Sequence, residues 1–123
     1  MKMKFIARVI AMALLFLTWG CTNDSTSDLS DPEKLPDNVT YLEHIKPIID
    51  NNCTSCHNDP PVNGAPMPLT TFEFVVDAIT NRPLIDKISK PNGAPGLMPY
   101  GGPRLPQRSI DIIIKWKNQG LQR

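Results

Sequence analysis

The 123-residue sequence predicts a small all-α fold of three to five short helices, and three observations carry that expectation. Thr40 with Glu43, and again Thr70 with Glu73, form T-x-x-E capping patterns ahead of apolar residues at helical spacing. Pro106 and Gly120 bracket a third periodic stretch: proline suits a first helical turn, and glycine the left-handed conformation that closes a helix. Between these stretches lie segments so rich in proline and glycine that loop is the natural reading.

Taken in order, Tyr41, Leu42, Ile45, Ile48 and Ile49 predict a helix over residues 40–52. Pro47 removes a donor and crowds the preceding turn, so a kink or two short helices meeting at Lys46 are expected. Residues 58–69 hold Pro60, Pro61, Pro66, Pro68 and Gly64 and read as loop. A helix restarts at Thr70 with Phe72, Phe74, Val75, Val76, Ala78 and Ile79, and Leu84, Ile85 and Ile88 suggest a short one over 83–89. Residues 91–103 are again loop. In the last helix Ile110, Ile112, Ile113, Ile114 and Trp116 cover an arc of about 200° at 100° per residue, wide enough to touch both a neighbouring helix and a prosthetic group.

The chemistry-bearing motif is Cys53-Thr54-Ser55-Cys56-His57. Two thiols and an imidazole at this spacing suit covalent haem attachment, with Cys53 and Cys56 as thioethers and His57 giving a ring nitrogen to the iron. A zinc site would need a fourth ligand, and only His44, Cys21 or a carboxylate remain, at no recognisable ligand spacing. A thioredoxin-like dithiol needs a strand-and-helix frame that the proline-broken flanks do not supply. A disulfide between Cys53 and Cys56 would close too small a loop to constrain the unfolded chain, and would leave His57 unexplained.

The N-terminus reads as an export signal: Lys2, Lys4 and Arg8 form a basic start, an apolar run extends from Val9 to Trp19, and Gly20 precedes Cys21. About twenty apolar residues are needed to cross a bilayer core, and this run is shorter. Residues 1–20 are therefore read as a cleaved signal peptide. The Leu17-Thr18-Trp19-Gly20-Cys21 ending resembles a bacterial lipoprotein signal, in which Cys21 becomes the lipidated first residue, although Thr18 stands where that pattern usually has its leucine. With Cys21 on lipid and Cys53 and Cys56 on haem, no thiol is left over. Residues 21–38 read as an acidic tether, with Asp24, Asp28, Asp31, Glu33 and Asp37 against Lys34 alone, and residues 39–123 as the haem domain. The formal charge of +1 drops to about −2 once Lys2, Lys4 and Arg8 are removed, so nucleic acid is not an expected partner.

The order of these features resembles the class I c-type cytochromes, and the wording resembles their small bacterial monohaem domains: Tyr41 and Ile45-Lys46-Pro47-Ile48 before the haem cysteines, then Met98-Pro99, Trp116 and Gly120 after. The likeness spans about residues 39–121. It implies a cytochrome c-like all-helical fold with first and last helices crossing, one covalent haem c, and one-electron transfer rather than enzymatic turnover. Met1, Met3 and Met12 leave with the signal, so Met67 and Met98 compete as the distal ligand. The family places that methionine in the loop before the last helix, which is Met98. His44 reads as an exposed or edge histidine rather than an axial ligand. A carbonyl is expected to hold the other ring nitrogen of His57, from a residue the sequence does not name. Arg104, Arg108, Lys87 and Lys90 fall near the expected haem-loop side and could steer an acidic redox partner, with scattered solvated charge as the plainer reading. With histidine and methionine both bound, outer-sphere electron transfer in the periplasm or at a membrane surface is the natural activity. The rival is a haem sensor or gas binder with a displaceable distal ligand. Bacterial c-type peroxidases pair two haems, and this chain has a single C-x-x-C-H.

Overall fold

The computed structural model describes residues 34–123. The signal, Cys21 and most of the acidic tether lie outside the described residues. Within them the chain is helical, without a strand, in a π-helical turn, Tyr41–Ile45, and four α-helices: α1 (Lys46–Asn52), α2 (Phe72–Thr80), α3 (Leu84–Ser89) and α4 (Gln107–Asn118).

Pro47 explains the first division. It stands in the opening turn of α1, where a missing N–H leaves nothing unsatisfied. Ahead of it the backbone is underwound into a π turn, with the Ile45 N–H bonded to Thr40 O at 3.3 Å and the Lys46 N–H to Tyr41 O. Two short helices thus meet at Lys46. The capping at this end differs from expectation: the Thr40 hydroxyl donates to Glu43 Oε2 at 3.4 Å, and it is His44 Nδ1 that accepts the Thr40 N–H, at 3.2 Å. A π turn carries residue 44, not 43, back over the cap. At α2 the cap is Thr71, one residue later than expected, its hydroxyl accepting the Phe74 N–H at 3.3 Å.

The core gathers the apolar stripes of every element. Val39, Ile45, Ile49, Val75, Ile110, Ile113 and Trp116 are fully buried, and the π turn packs on α4. Tyr41, Phe72 and Trp116 form an aromatic triangle with ring centroids 5.2, 5.8 and 6.0 Å apart. Edge-to-face pairs of this kind contribute about 0.5–1.5 kcal/mol beyond the area they bury. Phe72, partly buried, packs against the core through this triangle, and the Arg123 guanidinium lies 4.9 Å from its ring centroid.

The two ends of the described chain are joined. Gln119 accepts the Val39 N–H at 2.9 Å and donates to Asp37 O at 2.7 Å, while Gln122 O accepts both the Tyr41 N–H at 2.9 Å and the Trp116 Nε1–H at 2.6 Å. Gly120, at φ +89°, reverses the chain after α4 and lets Gln122 return to the indole.

Candidate functional site

α1 ends at Asn52, and the following residues stay wound in a tight turn because each donor finds a carbonyl one turn back. The Cys53 N–H bonds Ile49 O at 2.8 Å, and both the Cys56 and His57 N–H groups bond Cys53 O, at 3.1 and 2.9 Å. Cys53, Cys56 and His57 are thereby fixed on one short arc. The loop after them closes onto it: Val62 N–H donates to Cys56 O at 2.9 Å, and Leu69 N–H to His57 O at 2.8 Å. Inside that loop the His57 Nδ1–H donates to Met67 O at 2.7 Å. A carbonyl can only accept, so Nδ1 carries a proton, and in the neutral ring the lone pair is then on Nε2. Met67 is the carbonyl partner the sequence left unnamed.

These residues line a cavity of about 500 Å³, within the range of sites for small molecules and cofactors. Its apolar walls come from α1 (Ile49), α3 (Leu84 and Ile88) and α4 (Ile113), with Leu69 and Leu105 from the loops. Cys53, Cys56, His57, Met67 and Met98 all face it. Cys53 and Cys56 are free thiols, and burial pushes the Cys53 thiol up to about 11. The Asn63 amide donates to Cys56 Sγ at 3.7 Å.

Met98 reaches the cavity from a different direction. Its N–H donates to Lys87 O at 3.1 Å, which hangs the loop from α3, and buried Leu97 and Leu105 stand on either side of the loop's tip. Gly96 has φ +77°, and a Cβ there would stand 3.0 Å from Lys87 Nζ, so glycine suits this place on two counts. Tyr100, two residues on, is 88% exposed at the cavity rim.

Both competing methionines thus border the cavity, but not equivalently. Met67 has its backbone against Nδ1, on the edge of the imidazole away from Nε2. Met98 comes from the loop before α4. The basic residues of the lining are Lys87 and Arg82. Lys87 was among the four cations singled out in the sequence, whereas Arg104, Arg108 and Lys90 are not in the lining. Arg82, just before α3, carries no signal in the sequence that would single it out. It is held by Asp77, with Nε 2.8 Å from Oδ2, and that guanidinium, then Asn81, holds the Asp77 carboxyl below its ordinary range. His44 does not line the cavity, and neither do Phe72, Phe74 and Trp116.

Among the described residues no three or more His, Cys, Asp or Glu side chains form a metal-binding group, and no helix is long and apolar enough to cross a membrane. Comparisons of the chain with family models, with curated proteins and with solved structures returned no match.

Proposed function

We propose that this protein is a monohaem c-type cytochrome, a one-electron carrier with a cytochrome c-like fold whose cofactor sits in the 500 Å³ cavity. The observation that carries the reading is that a C-x-x-C-H arc lines one part of an apolar cavity while Met98, from a loop forty residues on, lines another. A porphyrin brings four nitrogens of its own, so this chain needs to supply only axial donors and anchors rather than a cluster of ligands.

Cys53 and Cys56 would hold the group as thioethers, and His57 and Met98 would supply donors to its iron. The bond from Nδ1 to Met67 O orients the imidazole and presents Nε2, the nitrogen that bears the lone pair in this tautomer, to the cavity side. The same bond ties the Met67 backbone to the histidine side, which supports Met98 for the distal role. When bound, haem c supplies an iron that cycles between ferrous and ferric states. The apolar walls exclude water and disfavour added positive charge, and together with thioether ligation this raises the reduction potential. Arg82 and Lys87 offset the carboxylates the cofactor carries. The sequence adds an extracytoplasmic setting: cleavage before Cys21, a lipid anchor on Cys21 to a bacterial membrane, and redox proteins as donor and acceptor.

Expression of the full chain in a host that matures c-type haems tests this reading. The product should keep one haem on a denaturing gel and show a Soret band, and its mass should include one haem and an acylated Cys21 start. Reduced protein that converts at once under carbon monoxide would favour a gas sensor instead. A colourless product would overturn the cytochrome.

A further inference from the structure

The loop that carries Met98, residues 91–103, forms short turns of its own, with the Ala94 N–H bonded to Pro91 O, the Leu97 N–H to Ala94 O and the Gly102 N–H to Pro99 O, but none of these bonds joins its two ends. The ends are closed at its base. Asn92 Oδ1 accepts the Arg104 N–H at 2.7 Å, a bond that spans twelve residues and has Met98 at its midpoint. The Arg104 side chain then fastens this base to the elements on either side. Nη2 donates to Gln107 Oε1 at 2.7 Å in the first turn of α4, and Nε lies 3.4 Å from Ser89 O, at the end of α3, where helical carbonyls lack internal partners. Gln107 is itself held, donating to Asp111 Oδ1 at 2.7 Å. Two further bonds, Met98 N–H to Lys87 O and Lys90 Nζ to Pro95 O, both at 3.1 Å, depend on the loop lying against α3.

We propose that Asn92 and Arg104 are positioning residues, a clasp that presses the Met98 loop onto α3 and so sets how readily an outside ligand displaces the Met98 thioether. Neither residue lines the cavity, so they act through Met98 alone. Opening the clasp frees both arms of the loop at once, because bringing the ends of a loop together costs conformational entropy that the Asn92 bond offsets. The inference rests on the cytochrome reading, which supplies the iron that Met98 would leave.

The test compares wild-type holoprotein with Asn92→Ala, Asn92→Asp and Arg104→Gln. Carbon monoxide association with the reduced protein should be about two- to tenfold faster in Asn92→Ala, the range that one lost hydrogen bond allows. Asn92→Asp keeps the acceptor oxygen and should restore the wild-type rate. Arg104→Gln leaves the Asn92 bond in place but cuts the ties to α3 and α4, and should also bind faster. It carries the test if Asn92→Ala fails to fold. Amide exchange at Met98, whose own bond goes to Lys87, gives a readout independent of carbon monoxide and should quicken by a similar factor. A lowered denaturation midpoint with unchanged carbon monoxide rate and unchanged Met98 exchange would mean a purely structural contact and overturn the clasp. A wild-type product without a Soret band would overturn the cytochrome reading and the clasp with it, whereas a coloured product with unaffected variants would overturn the clasp alone.

Discussion

Two proline-rich loops border the cavity, and they are held in opposite ways. The loop after His57 is closed by its own backbone and by the motif that precedes it: His57 O takes the Leu69 N–H, Cys56 O takes the Val62 N–H, and Met67 O takes the His57 ring. The Met98 loop has short turns of its own but is tied outward to Lys87 and, through Arg104, to Ser89 and Gln107, residues of two separate helices. A side chain held by local bonds keeps its geometry as long as its own turn is intact. A side chain hung from two helices depends on how those helices pack. The histidine side is thus the fixed half of the cavity and the methionine side the adjustable half.

The most drastic way to break this contrast is on the fixed side. Replacing both Cys53 and Cys56 by alanine should abolish covalent haem entirely, read as loss of haem stain on a denaturing gel. Next is the choice between the two thioethers. Met98→Ala should remain coloured but bind carbon monoxide at least about tenfold faster, the factor that corresponds to roughly 1.4 kcal/mol of lost ligation. Met67→Ala keeps the carbonyl that His57 uses and should leave that rate unchanged; the reverse pattern would exchange the roles of the two loops.

A pair of core truncations sharpens the comparison. Leu69 and Leu97 are the buried leucines of the two loops, and such Leu→Ala changes cost about 2–5 kcal/mol. Leu69→Ala should fall near the upper end, because Leu69 belongs to the contiguous core, and Leu97→Ala near the lower end, because Leu97 lies outside it. Chemical denaturation would measure both, and equal costs would argue against an adjustable methionine side. The smallest effect is electrostatic. Arg82 and Asn81 lower the Asp77 pKa in the folded protein, so their contribution is present at neutral pH and is lost as pH falls through that lowered value. The stability difference between wild type and Asp77→Asn should therefore shrink on acidification below about pH 4.

The unequal legibility of the site follows from the same contrast. Cys53, Cys56 and His57 could be read directly because contiguous residues on one turn share one geometry. The split at Lys46 was also legible, since a proline permits few backbones, and so was the close of α4 at Gly120. Met67 as the partner of His57 was not, because any carbonyl in a loop of this length could in principle turn toward the ring. Nor was Arg82: its place in the lining depends on how α2 turns into α3. The cap at Thr71 instead of Thr70 shows a finer limit, since two adjacent threonines offer the same hydroxyl and only packing of Phe72 against Tyr41 and Trp116 selects between them.

The stitching of the chain's entrance to its exit has a mechanical corollary. Asp37, Val39 and Tyr41 are bonded to Gln119 and Gln122, and none of these five residues borders the cavity. Tension arriving along the polypeptide from its N-terminal side would be taken up as shear between the first and last strands of backbone, and would pass to the Trp116 indole before reaching any donor around the cavity. On the cytochrome reading, an anchor would therefore tug on this molecule without retuning its metal.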